Sequence, residues 1–340
     1  FCKDIVDVYS PSIWAGWYRG VYTDYKTASK TEFDRVNHFL HVEWGGDSHA
    51  RRHSETPDEG LSEVMRSTSA DERAGDASLF GGPARVSKDG DWSESYIIRL
   101  FDWHLKEQET MPRLTGSLFW TFKDFSTPLR PENPIPYVNQ KGVVQRDGTP
   151  KESYYVFQSY WSEAPMIHIY GHTWPVRWGK PDERKEILVY SNCPEVELFV
   201  NGTSQGRKKR NSQDFPAAGL HWDVLLQEGN NQIEAIGYNG KLRLSDKIEQ
   251  EYQTQSWSTP AEIRLTQTRV DSNTVFVQAE LVDKNGVRCL DAKDFIEFGS
   301  TDPKALLQNQ GTARGSRRIQ AANGLASICI KREYAPVTIS

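Results

Sequence analysis

The sequence predicts an α/β region followed by all-β structure, and three observations carry that prediction. Up to about Ser162, apolar runs of strand length alternate with helical periodicity. Beyond Ser162 the helical periodicity stops and short β-rich runs take over. Asn201-Gly202, Asn239-Gly240 and Asn285-Gly286 punctuate those runs, and Asn-Gly between apolar segments is a strong hairpin signal.

Taken in order, Asp4–Ser10 reads as a strand that ends at Ser10-Pro11, and Tyr18–Tyr25 as loop. Thr31 is a candidate N-cap for a helix through about Val36, with Asp34 in its first turn. Phe39–Val42 is a buried strand that closes on Glu43, and Gly45-Gly46 stop it. Residues 50–92 are rich in Ser, Gly, Asp, Glu and Arg and read as a long functional or mobile loop. Asp91 and Glu94 fit a capping box, after which Tyr96, Ile97, Leu100, Phe101, His104 and Leu105 share one helix face. Leu114–Phe122 is the next buried strand, and strand, helix, strand implies parallel pairing through a crossover. Met166–Tyr170, Glu186–Tyr190, Val196–Val200, Trp222–Leu226, Gln232–Tyr238 and Lys241–Leu244 then form a β-sandwich. Across a polar linker, Gln253–Pro260, a second sandwich uses Glu262–Thr266, Thr274–Val282, Phe295–Phe298 and Ala326–Ile330. The expected domains are 1–162, 163–255 and 256–340.

A chain of 340 residues is long enough for two or three such domains. Its net charge of -5 and pI near 6.0 give no sign of a nucleic-acid or anionic-membrane partner. No apolar run approaches the roughly 18 residues of a membrane helix. Arg207–Arg210 reads as a solvated hairpin tip. Cys2, Cys193, Cys289 and Cys329 lie far apart without a CxxC, so they read as buried thiols and leave the redox compartment open. A periplasmic or secreted setting is expected over a cytoplasmic one.

The chemistry-bearing candidates follow. Glu43 ends a buried strand, where a carboxylate is costly to leave dry, so it is expected to face a cleft. Its sharp reading is a nucleophile in a sugar-cleaving site; its bland one is a salt-bridged strand end. His49 and His53 stand four apart with Asp47 near, a metal-binding spacing if helical. Their flanks read as loop, which favours a surface or substrate-binding role, so no metal is expected, and no cofactor either. Trp14, Trp17 and Trp44 serve either to stack on sugar or to pack. Asp124 binds sugar hydroxyls or caps a strand.

Three spaced stretches resemble the glycoside hydrolase family that contains β-galactosidases, β-glucuronidases and β-mannosidases. Asp4-Ile-Val-Asp-Val-Tyr9 is similar to the sixth strand of that family's (β/α)8 barrel, and His41-Val-Glu43-Trp-Gly to the seventh. Gly116-Ser-Leu-Phe-Trp120-Thr-Phe-Lys-Asp124-Phe, with Asn139-Gln-Lys141 and the stretch to Lys151, is similar to the eighth strand and the barrel exit. Ser191–Gly202 and Gln308–Ser316 resemble the sandwiches that follow the barrel. The resemblance therefore implies the C-terminal part of a (β/α)8 barrel plus two immunoglobulin-like β-sandwich domains, and it covers nearly the whole chain. It makes Glu43 the nucleophile, with Tyr9, Trp120, Asn139 and Lys141 as substrate-binding candidates; Trp44, His49 and Asp124 join them on the residue readings above. His41–His53 and Phe215–Gly219 look most like β-galactosidases of agar-degrading bacteria. The expected activity is thus an exo-acting, retaining β-galactosidase on an oligosaccharide. The alternatives are a β-glucuronidase, which uses an Asn-x-Lys pattern on the substrate carboxylate, and a non-catalytic carbohydrate-binding fragment using Trp174, Trp178 and Trp222.

One departure from the family is large. Its acid/base glutamate sits in an Asn-Glu pair, and no Asn-Glu occurs in this sequence. Three strands also cannot close a barrel. The expected partner is therefore a missing N-terminal part of the same polypeptide, with a homo-oligomer possible in addition, and the chain alone is expected to be inactive.

Overall fold

The computed structural model describes residues 5–34, 36–64, 85–90, 92–128, 138–303, 305–308 and 317–332. The α/β part contains helix α1 (Tyr25–Phe33), strand β1 (Phe39–His41), helices α2 (Val86–Asp89) and α3 (Glu94–Gln108), strands β2 (Leu114–Ser117), β3 (Phe125–Ser126) and β4 (Val138–Asn139), and helix α4 (Glu152–Trp161). β1 and β2 pair in parallel, Phe39 opposite Leu114 and His41 opposite Ser117, with α3 as the crossover. Tyr9 forms a parallel bridge to Phe39 on the other side of β1. Three chain segments thus run side by side in one direction, as consecutive strands of a (β/α)8 barrel do.

α3 forms where the periodicity places it. Its buried face carries Ile97, Ile98, Leu100 and Phe101, and removing each such side chain from water contributes roughly 1.5–3 kcal/mol. The cap differs from expectation: Ser93 Oγ accepts the Tyr96 N–H at 3.0 Å, while Asp91 lies outside the described residues. α1 is also displaced from its expected place. A 3₁₀ turn at Tyr22–Asp24 feeds straight into it, so Thr31 lies in its last turn instead of at its start. Tyr22 and Tyr25 are buried, and that apolar anchoring outweighs the capping preference of Thr31. The expected strand at Asp4–Ser10 shrinks to the Tyr9 bridge, and Leu114–Phe122 forms a ladder only to Ser117. In both stretches apolar side chains face solvent: Ile5 is 82% exposed, Phe122 60% and Leu118 55%.

The all-β part begins with β5 (Ile167–Ile169), β6 (Val176–Trp178), β7 (Arg184–Ser191), β8 (Glu195–Val200), β9 (Thr203–Lys209), β10 (His221–Leu225), β11 (Gly229–Asn239) and β12 (Leu242–Gln253). A sheet of order β10-β7-β5 faces one of order β6-β12-β11-β8-β9 across a core that includes Ile169, Val189, Leu198, Ile233 and Ile248. The turn between β8 and β9 puts Asn201 and Gly202 at positive φ, the type I′ geometry that Asn-Gly favours. Arg207–Lys209 lies on the edge strand β9 and not at a hairpin tip; Arg207 stacks over Tyr238 and pairs with Glu195 and Glu197. Basic side chains on an unpaired edge discourage strand addition.

The second sandwich contains β13 (Glu262–Arg269), β14 (Thr274–Val282), β15 (Phe295–Glu297), β16 (Ala305–Gln308), β17 (Arg318–Gln320) and β18 (Leu325–Arg332). A sheet of order β13-β14-β18-β16 and the β15-β17 pair close over Val277, Ala279, Phe298, Ile328 and Ile330. The architecture is thus the end of a (β/α)8 barrel followed by two β-sandwiches. One core spans residue 162: Trp44, Phe101 and Phe157 from the barrel part share it with Tyr170, Trp174, Leu188 and Tyr190 from the first sandwich. Cys193, Cys289 and Cys329 are free thiols, and no helix among the described residues is long and apolar enough to cross a membrane.

Candidate functional site

The strand ends gather in one place. Ile13 N–H donates to the Glu43 carbonyl at 3.3 Å, and Val42 N–H to Ser10 Oγ at 3.1 Å. Trp120 N–H reaches the Trp44 carbonyl at 2.9 Å, and Thr121 N–H the Lys141 carbonyl at 3.2 Å. Segments 9–14, 43–44, 118–121 and 139–141 are therefore laid edge to edge by backbone hydrogen bonds. Glu43 is half-buried and accepts the Ser12 hydroxyl on Oε2 at 2.8 Å. Ser12 gave no signal in the sequence. Its hydrogen bond orients the carboxylate. Trp120 is 44% exposed and meets Phe125 edge-on at 5.9 Å. Tyr9 is half-buried beside β1, its carbonyl accepting the Leu40 N–H at 3.1 Å.

Lys141 is the unusual member of this group. Only 3% of its side chain is exposed, and its ammonium sits 4.1 Å above the Trp14 ring and 4.4 Å above Tyr18. It donates to the Tyr18 hydroxyl at 2.7 Å and lies 3.8 Å from the Asp47 carboxylate. Among the described residues the Tyr18 bond is its one hydrogen bond. A buried ammonium has three donors to place, and here the Asp47 carboxylate and two aromatic faces are its remaining neighbours. Asn139 is fixed next to it, Oδ1 accepting the Lys141 N–H at 3.1 Å. Tyr18 was read as loop, and only Lys141 itself pointed to it.

Five candidates have structural work instead. Trp44 is completely buried, enclosed by Phe101, Phe119, Phe157 and His104, with Nε1–H donating to Ser117 Oγ at 2.9 Å. No face of that ring is open to sugar, and Trp17 is equally buried. His49 is buried at the seam with the second sandwich; Nε2–H donates to the Gln320 carbonyl at 3.2 Å and Nδ1 accepts from Gln140 at 3.2 Å. Burial, and then the charge of Arg52, push its pKa down to about 3, so it is neutral and has no nitrogen left for substrate. His53 is no surface residue either: it is buried with Tyr170 and Thr173 at 2.7 and 2.8 Å, and burial lowers its pKa to about 4. The expected surface roles failed because the loop after Glu43 is covered by both sandwiches. Asp124 takes the Gly142 N–H at 2.8 Å and Lys151 Nζ at 3.0 Å, which makes it the strand cap and not the sugar ligand.

Gly45 and Gly46 also belong to this packing. Gly45 has φ +124°, and a Cβ on Gly46 would stand 2.8 Å from the Trp17 ring and 2.9 Å from Ile97. The pair lets the chain leave the Glu43 strand between α3 and the aromatic core. The loop then docks on the second sandwich: Asn323 Nδ2 donates to the Arg51 carbonyl at 2.7 Å, and the Arg52 guanidinium to that of Ala321. Trp174 and Trp222 are buried and Trp178 packs edge-on between Trp174 and Trp257, so these three do not form an exposed sugar-stacking plane.

Residues 182–242 match the family described as "Domain of unknown function (DUF4982)". A Formosa agariphila protein named "Putative beta-glucuronidase" is 45% identical over 330 residues, 97% of this chain and 39% of its own length. The crystal structure of a Parabacteroides merdae β-glucuronidase superposes with a TM-score of 0.92 at 61% identity, over 100% of this chain and 44% of that one. A Bacteroides uniformis β-glucuronidase structure gives 0.87 at 68% identity, over 99% and 41%. The chain thus spans less than half the length of each of these relatives.

Proposed function

We propose, for a chain that belongs to the glycoside hydrolase family of β-galactosidases, β-glucuronidases and β-mannosidases, that it supplies the nucleophile half of a retaining β-glucuronidase site. Glu43 attacks the anomeric carbon and carries the glycosyl intermediate. Trp120 forms a wall of the sugar pocket, and Tyr9 hydrogen-bonds near the nucleophile. Lys141, with Asn139, takes the C6 carboxylate of a terminal uronic acid. The observation that carries this reading is the buried Lys141 ammonium with donors to spare, laid beside the Glu43 strand. A uronic acid would add a second carboxylate to that of Asp47, 3.8 Å away, where a neutral galactose adds none, and relatives at 45% and 61% identity bear the names "Putative beta-glucuronidase" and β-glucuronidase. The β-galactosidase expectation therefore gives way to its alternative.

Retention needs a second carboxyl about 5–5.5 Å from the first to protonate the leaving oxygen. We assign it to a further barrel segment that also covers the apolar side chains left open at Ile5, Leu118 and Phe122. The substrate is a carbohydrate with a terminal β-linked uronic acid, cleaved from the non-reducing end. In the full-length protein, a 2-fluoro-glucuronyl fluoride should label the peptide that holds Glu43, and Glu43→Gln should abolish aryl β-glucuronide hydrolysis. Label on another carboxylate removes Glu43 from the mechanism. Equal turnover of aryl galactoside and glucuronide removes Lys141 from sugar selection.

A further inference from the structure

Where the first sandwich meets α4, three metal-type donors converge. His168 lies in β5, His172 in the turn that follows, and Asp246 in β12. One donor atom from each lies within 4.8 Å of the other two. The imidazole rings stack at 4.6 Å and 15°, and Tyr155 covers the far face of His168 at 3.5 Å and 10°. Asp246 Oδ2 sits 2.7 Å from His172 Nε2 and is held by the Ile169 N–H at 2.7 Å. Glu152, at the start of α4, stands 2.7 Å from His168 Nε2 and is itself held by the Gly171 N–H at 3.2 Å. Each ring is thus fixed by a carboxylate, and each carboxylate is fixed by a backbone donor.

The local charge is lopsided. Glu152 accompanies Glu94, whose carboxyl burial and then the Glu152 charge lift above the ordinary carboxylate range. Glu94 takes the Glu152 N–H at 2.8 Å, so the two acids stay together despite repelling. Two carboxylates, Glu152 and Asp246, thus face the histidine pair, with Glu94 behind Glu152. Access differs across the cluster: His168 and Glu152 are buried, Asp246 is half-buried and His172 is exposed. The arrangement is closed at its base and open on the His172 side.

We propose that His168, His172 and Asp246 form a binding site for a divalent transition-metal ion, zinc by the match of two imidazoles and a carboxylate. Zinc takes nitrogen at roughly 2.0–2.1 Å and carboxylate oxygen at about 2.0–2.2 Å, and one ion between donors within 4.8 Å of one another meets those lengths after small adjustments of the side chains. Calcium and magnesium ask for oxygen donors in larger number and match the set poorly. Glu152 acts through His168, orienting the ring as outer carboxylates do for ligating histidines. Binding displaces the proton shared by His172 and Asp246, so it releases acid and strengthens with pH. The ion would pin the turn after β5 to β12. None of these residues enters the glycosidase reading, so either stands without the other.

The test uses full-length protein stripped of metal with a chelator, titrated with zinc sulfate by calorimetry and with cobalt(II) by visible absorption. The expected result is one equivalent of zinc, a raised melting temperature, and a tetrahedral cobalt spectrum. Mg²⁺ and Ca²⁺ should not compete. His172→Ala and Asp246→Asn, both away from the core, should weaken zinc binding by roughly 10- to 100-fold or more while the metal-free fold is unchanged by near-ultraviolet dichroism. Absence of a saturable one-to-one isotherm overturns the proposal. Zinc affinity retained within about twofold by both variants does so too, because it would place the ion elsewhere.

Discussion

Replacing Lys151 by Met separates a buried charge from everything that compensates it. Lys151 is 2% exposed, and its ammonium uses all three hydrogens: on Asp124 Oδ1 at 3.0 Å, the Ser48 carbonyl at 3.0 Å and the Gln140 carbonyl at 2.9 Å. Methionine matches its length and offers no donor. Asp124 then keeps the Gly142 N–H and the Gln140 carbonyl keeps the Ser48 N–H, but the buried carboxylate loses its counter-charge. Removing one partner of a buried pair costs about 3–5 kcal/mol. At ~2–4 °C per kcal/mol for a domain of 150–250 residues, the melting temperature should fall by about 6–20 °C. The loss should also depend on pH. Burial pushes the Asp124 carboxyl up to about 6, and the charge and hydrogen bond of Lys151 pull the other way. Because the folded state holds that proton more tightly than the unfolded chain does, the group's contribution to stability declines as pH rises from about 4 to 6. Without Lys151 the folded pKa rises further, so the decline extends above pH 6. Tryptophan-fluorescence melts at pH 5 and pH 8 should show the larger destabilisation at pH 8. A fall of less than about 3 °C at pH 8, or an equal fall at both pH values, would refute the assignment of Lys151 as the counter-ion that holds the barrel exit together.

Other outcomes follow from the same structure. Lys141→Ala in the full-length protein should raise KM for an aryl glucuronide far more than for the galactoside, and a uniform loss on both would mean that the residue only supports the fold. Gly46→Ala forces a Cβ to 2.8 Å from Trp17, so it should destabilise by about 1–3 kcal/mol in urea melts. Ser93→Ala removes the cap of α3 and should cost ~1 kcal/mol, measurable by the same melts. A fragment of residues 163–340 loses the barrel side of the core around Tyr170, Trp174, Leu188 and Tyr190, so it should bind an apolar dye and melt well below the whole chain. A fragment as stable as the whole would instead support an independent unit starting at 163.

What the sequence made legible follows its local signals. Asn201-Gly202 specifies its hairpin because the turn needs residues that tolerate positive φ, and the α3 face specifies burial because its spacing is unbroken. What it hid was tertiary. Trp44 and Trp120 look alike as strand-end tryptophans, and only packing against Phe101, Phe119 and Phe157 sends one inside while the other stays on the open side. His49 and His53 read as surface because their neighbours are polar, yet those polar neighbours satisfy buried partners from two other parts of the chain. Lys141 was singled out by motif, whereas its enclosure by Trp14 and Tyr18 depends on a loop more than 120 positions upstream. Ser12 and the His168–His172 pair left no motif, because each acquires its meaning from a neighbour distant in sequence.

The seam formed by His49, Arg51 and Arg52 with Gln320, Ala321 and Asn323 ties residues some 270 positions apart. The strip of chain that leaves Glu43 is therefore anchored on the turn between β17 and β18. Trimming the protein before that turn would therefore unpin the strip from a distance, with every residue of the strip itself intact.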